Sequence, residues 1–83
     1  MTEQEIFDKL LTILKGVVDD ENYDFSSINM DSNIFQELAI TSIAALYMAL
    51  EIESVFHVTI QNENTERLTT VRNIIALIQE KQR

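Results

Sequence analysis

The stretch ELAITSIAALYMAL, Glu37 to Leu50, carries two hydroxyls, Thr41 and Ser42, at the mouth of an apolar run. A hydroxyl there can cap a helix by accepting a backbone N–H, or it can receive a covalent group. The rest of the chain offers little else for chemistry. The one histidine, His57, stands beside Phe56, so no Ser-His-Asp relay can be built on it. It is expected to be a solvated surface residue. There is no cysteine, hence no thiolate nucleophile, no Cys-His metal spacing and no disulfide framework. A Gly-rich phosphate loop is also missing. Thiol chemistry, if this protein takes part in any, needs an imported thiol, and the chain itself is expected to be non-catalytic.

One calcium pattern has to be weighed. Asp20, Asn22 and Asp24 have the spacing of the first three ligands of an EF-hand loop. The sixth position, where the turn needs Gly, is Phe25, and the twelfth is Asp31 instead of a bidentate Glu. A solvated acidic loop is the better reading, with a calcium-responsive domain as a competing one.

The elements that must hold Thr41 and Ser42 follow from periodicity. The 83 residues predict one domain spanning 1–83. With no proline, one glycine and 46% apolar residues, the composition predicts an all-α fold. Thr2 and Glu5 have capping-box spacing. Two adjacent stripes follow, Ile6/Leu10/Ile13/Val17 and Phe7/Leu11/Leu14/Val18, predicting a first helix that ends near Gly16 to Val18. A long Asp/Asn/Ser-rich connection reaches about Thr41. Its apolar anchors, Tyr23, Phe25, Ile28, Ile34, Phe35 and Leu38, predict that it packs over the helices, and DSNIFQEL fits a short helical turn. A second long helix is expected from about Ser42 to Phe56. A short one is expected over Thr65 to Leu68, and a last one after Thr69 or Thr70, with Val71, Ile74, Ile75 and Ile78 as its apolar face. The sum is a four-helix bundle of three longer helices and one short one, with a long first loop.

The second long helix is apolar on two sides. Ala45, Met48, Ala49, Ile52 and Phe56 share one face, while Ile43, Tyr47 and Leu50 fall roughly opposite, flanked by Glu51 and Glu53. A bundle this small has difficulty burying both. Either the long first connection covers the second face, or a partner protein does.

Charge narrows the partners. The net charge is −8, and no Lys or Arg occurs between Lys15 and Arg67. Such a field repels nucleic acid and anionic lipid, so neither is expected as a partner. The longest apolar run, Ile43 to Leu50, is too short to span a bilayer. The acidic start MTEQEIFDKL lacks a signal peptide's basic region. A cytoplasmic monomer is expected.

LAITSIAALYMALEIESVFHVTI followed by ENTERLTTVRNIIALI resembles the acyl carrier proteins over nearly the whole chain, about Glu3 to Lys81. The pre-helix segment SNIFQELAI, the acidic helix ending E-x-x-F, and L-T-T-V before the last helix carry the likeness. The resemblance implies a small helical carrier of fatty acid, polyketide or related synthesis. It further implies that Ser42, which falls on the serine of the family's Asp-Ser-Leu motif, receives 4′-phosphopantetheine from coenzyme A. A phosphopantetheinyl transferase using a divalent metal attaches the arm, and its thiol carries acyl groups as thioesters for loading and processing enzymes. A phosphodiester at a helix N-terminus also suits the unpaired N–H groups and the helix dipole there.

The motif is altered here. Thr41 replaces the Asp, Ile43 the Leu, and Ala39 the Gly two residues before the Asp. Ala44 and Tyr47 stand where the family has acids, two and five residues after the serine. The family's acids on this helix meet basic patches on partner enzymes. This chain keeps Glu37, Glu51 and Glu53, so the likeness implies partners that read Glu37, Thr41, Ile43, Tyr47, Leu50 and Glu51 on a more apolar surface. The alternative is a carrier-like helical interaction subunit that bears no arm.

Overall fold

The computed structural model describes residues 1–18, 22–60 and 68–82. Among these, four α-helices follow in order: α1 (Glu3–Val17), α2 (Ile34–Glu37), α3 (Ser42–Phe56) and α4 (Val71–Lys81), with a 3-10 turn over Phe25–Ser27. The all-α bundle expected from composition is therefore the observed one. The predicted helix over Thr65 to Leu68 lies almost wholly outside the described residues. Its last residue, Leu68, packs half-buried against the core.

α1 starts where its side chains supply the missing partners. The Glu5 N–H donates to Thr2 Oγ1 at 3.1 Å, and the Thr2 N–H donates to Glu5 Oε1 at 3.0 Å. Ile6, Leu10, Ile13 and Leu14 are buried, while Phe7, Leu11, Val17 and Val18 pack at the edge of the core. Each fully buried aliphatic side chain here contributes about 1.5–3 kcal/mol relative to exposure. α4 buries Val71, Ile74, Ile75, Leu77 and Ile78 in the same core. Its cap is Thr70, whose Oγ1 accepts from the Asn73 N–H at 3.2 Å.

The first connection is stitched down. Ile28, Ile34 and Leu38 are buried, and Tyr23, Phe25 and Phe35 are half-buried. The anchors read from sequence do pack over the helices. Met30 to Ile34 forms a strap across the start of α4. The Arg72 N–H donates to the Met30 carbonyl at 2.8 Å, the Val71 N–H to the Ser32 carbonyl at 3.1 Å, and the Ile34 N–H to the Thr69 carbonyl at 2.9 Å. These bonds occupy N–H groups that the first turn of any helix leaves without intrahelical partners. Asn33 caps α2, its Oδ1 accepting from the Phe35 and Gln36 N–H groups. Four residues, Leu38 to Thr41, then carry the chain into α3. Within them Ala39 takes the left-handed conformation, at φ 50°.

Candidate functional site

α3 begins with the two hydroxyls divided between two tasks. Thr41 is extended, at φ −78° and ψ 169°, and is the cap. Its Oγ1 accepts from the Ala44 N–H at 3.1 Å, and its carbonyl accepts from the Ala45 N–H at 2.8 Å. Ser42 is the first helical residue and is exposed. Sequence left the capping role open between them; the geometry gives it to Thr41. The Ser42 hydroxyl is thus free of cap duty at the positive end of a helix fifteen residues long. The N–H groups of Ser42 and Ile43 precede the capped ones and face the same end, where a phosphate is readily received.

The two-faced character of α3 is observed. Met48, Ile52 and Phe56 are buried, and Ala45 and Ala49 are half-buried. On the other side Ile43 is 69% exposed, Tyr47 61% and Leu50 46%. The long connection therefore does not cover this face. Leu46, 60% exposed, completes it and was not singled out from sequence. The signal was present: 43, 46, 47 and 50 have i, i+3, i+4, i+7 spacing, within an arc of about 100° on a helix wheel. Glu51 is exposed at the margin of this stripe, and Glu37, the last residue of α2, is exposed as well. Glu53 has a different task. Its Oε2 accepts from the Ile60 N–H at 2.8 Å and ties the chain leaving α3 back onto the helix.

Beside the stripe, a groove of about 740 Å³ runs between α1 and α3. Ile13, Gly16 and Val17 form one wall, and Ile43, Ala44 and Tyr47 the other. Thr41 lies at its margin, so the groove adjoins the start of α3.

The remaining candidates do not converge. His57 is exposed at the C-cap of α3, in the left-handed conformation at φ 57° and ψ 47°. Asp20 lies outside the described residues. Asp24 caps the 3-10 turn, accepting from the hydroxyl of Ser26 and from its backbone N–H, which hold its carboxyl below the usual carboxylate range, the hydroxyl most. Asp31 pairs with Arg72 at 3.1 Å across an exposed surface. Among the described residues no three His, Cys, Asp or Glu side chains cluster closely enough to hold a metal ion. No helix of the described residues is long and apolar enough to cross a membrane.

Comparison with known proteins places the chain in a family. Residues 8–78 match the family model described as a phosphopantetheine attachment site. The chain is 32% identical to the acyl carrier protein of Petrotoga mobilis over 98% of its own length and 92% of that protein's. It is likewise 32% identical to the acyl carrier proteins of a Picosynechococcus species, covering 94% and 93% of the two chains, and of Streptomyces coelicolor, covering 94% and 83%.

Proposed function

This chain belongs to the acyl carrier protein family, and from that premise we propose that it carries acyl groups as thioesters on a 4′-phosphopantetheine arm joined to Ser42 Oγ. The family implies the covalent arm and, with it, a phosphopantetheinyl transferase and acyl-processing enzymes as partners. The observation that supports Ser42 as the attachment point is its place in α3. It is exposed, first in the helix, and relieved of capping by Thr41. The residues fit the group: two free N–H groups and the helix dipole face the position a phosphodiester on this oxygen would take. When bound, the arm supplies the thiol that the chain itself lacks. The transferase supplies the base and the metal, which is why no activating side chain is needed beside Ser42.

The same reading gives α3 a second task, docking. Ile43, Tyr47 and Leu50, joined by Leu46, would meet apolar surface on partner enzymes, with Glu37 and Glu51 reaching basic groups at the rim and Thr41 at the end nearest the arm. Fatty acid, polyketide or a related specialised synthesis is the pathway class, with the last favoured by the reduced acidity of this face. The protein works as a cytoplasmic monomer, and its catalysis resides in the partners.

The test is direct. Folded protein is incubated with coenzyme A, magnesium and a broad-specificity transferase, then weighed intact beside a working carrier. One phosphopantetheine of added mass is expected on the wild type and none on Ser42→Ala. A wild type that gains nothing refutes the carrier reading, and an alanine variant that still gains mass refutes the site. The replacement of the motif's Asp by Thr41 supports a second reading, an unmodified interaction subunit. Partner capture that ignores Ser42→Ala but is abolished by Tyr47→Asp would favour it.

A further inference from the structure

Thr41 and Ser42 compete for one position. Serine is at least as good a helix cap as threonine, so nothing in Ser42 itself keeps it out of the cap. What does so is Thr41, whose Oγ1 already holds the Ala44 N–H at 3.1 Å and whose carbonyl holds the Ala45 N–H. Remove that acceptor and the helix start has an alternative one residue later. Ser42 would become extended, α3 would begin at Ile43, and the Ser42 hydroxyl would turn toward the backbone N–H of Ala45. The oxygen that must leave its surroundings to react would then be held by the helix. Residue 41 is exposed and contributes little burial, so its hydroxyl is its main contribution to the fold.

We propose that Thr41 is a positioning residue for the modification of Ser42, setting the register of α3 so that the serine hydroxyl stays disengaged. The proposal rests on Ser42 being the attachment point. In the transfer, the Ser42 Oγ–P bond forms as the pyrophosphate P–O bond of coenzyme A breaks. Adenosine 3′,5′-bisphosphate leaves, and the hydroxyl proton passes to a base of the transferase. Thr41 touches none of these atoms.

The experiment compares wild type, Thr41→Val, Thr41→Ser and Thr41→Asp with coenzyme A and the transferase, at a temperature where circular dichroism shows each variant folded. Valine keeps the shape and removes the acceptor, a cap loss of about 1 kcal/mol. At 1.4 kcal/mol per decade that shifts the register equilibrium about fivefold, so kcat/KM for the carrier falls, by at most about fivefold. The KM for coenzyme A stays unchanged. A second readout needs no transferase: in the apo valine variant the Ser42 13Cα shift moves from helical toward extended values and the Ala44 amide loses hydrogen-exchange protection. Thr41→Ser and Thr41→Asp restore both. A valine variant modified as fast as wild type overturns the positioning role alone. So does a slow variant whose Ser42 shift is unmoved and which Ser or Asp fails to rescue. A wild type that takes no arm overturns the attachment reading and this one with it.

Discussion

Replacing Ala39 by glycine should stabilise this protein. Ala39 sits at φ 50° in the four residues between α2 and α3, and it is exposed. A Cβ in the left-handed region crowds the following carbonyl, which costs about 1–2 kcal/mol. Glycine removes that cost but gives back about 0.5–1 kcal/mol through the greater freedom of the unfolded chain. No buried contact changes, so the net gain is about 0.5–1 kcal/mol. For a domain of this size each kcal/mol moves the Tm by about 4–8 °C, so Ala39→Gly should melt about 2–8 °C higher. Calorimetry and urea titration at pH 7 measure it, with an unchanged urea slope showing that the folded and unfolded ensembles are otherwise the same. Ala39→Val is the opposing control. A β-branched side chain is poorly tolerated at positive φ, and the variant should lose about 1 kcal/mol or more. A glycine variant melting at or below wild type with the same slope would refute the claim that strain is stored there. The arm should attach to Ser42 at an unchanged rate in the glycine variant, because the backbone keeps its path.

Three further outcomes follow from the same geometry. Leu46→Glu and Leu50→Glu should each shift stability by no more than about 0.5–1 kcal/mol while weakening partner-enzyme recognition, read as a rise in KM for the carrier; a large stability loss would make these residues core and remove the basis of docking. Gly16 has open space around the position of an added Cβ and no positive φ, so Gly16→Ala should stabilise α1 by about 0.5–1 kcal/mol in the same urea titration. The Glu5 carboxyl is held below its ordinary range, first by the Thr2 backbone N–H and then by the Thr2 hydroxyl. Its contribution is therefore full above the ordinary carboxylate range and is lost as pH falls through the lower folded-state value. Glu5→Gln should flatten the acid side of a Tm-against-pH curve, and an unaltered curve would show that the capping box contributes nothing titratable.

Much of this fold could be read from local pattern. The Thr2–Glu5 box, both ends of α3 and the apolar face of α4 depend on residues within a turn or two of each other, and the structure has them as expected. The choice of Thr70 over Thr69 could not be read, because it is made by a distant group: the Thr69 carbonyl is taken by the Ile34 N–H. The strap itself is backbone pairing across the fold and leaves no signature in side-chain type. Glu53 shows a different limit. Helical periodicity gives its direction around α3, beside the exposed stripe, but not that its side chain runs along the axis to meet Ile60. Leu46 is legible from the spacing 43, 46, 47, 50, which places it on the same exposed face as Ile43, Tyr47 and Leu50.

The strap from Met30 to Ile34 also sets where this chain can lengthen. Its backbone bonds to Thr69, Val71 and Arg72 split the first connection into two spans that answer to different constraints. Extra residues upstream of Met30 would be absorbed before the strap, because loop closure grows only slowly with length. An insertion among Leu38, Ala39 and Ile40 has no such buffer, since α2 on one side and the Thr41 cap on the other are both fixed. It would move Ser42 bodily relative to the stripe on α3 or break the cap. Length variation in this molecule is therefore free on one side of the strap and forbidden on the other.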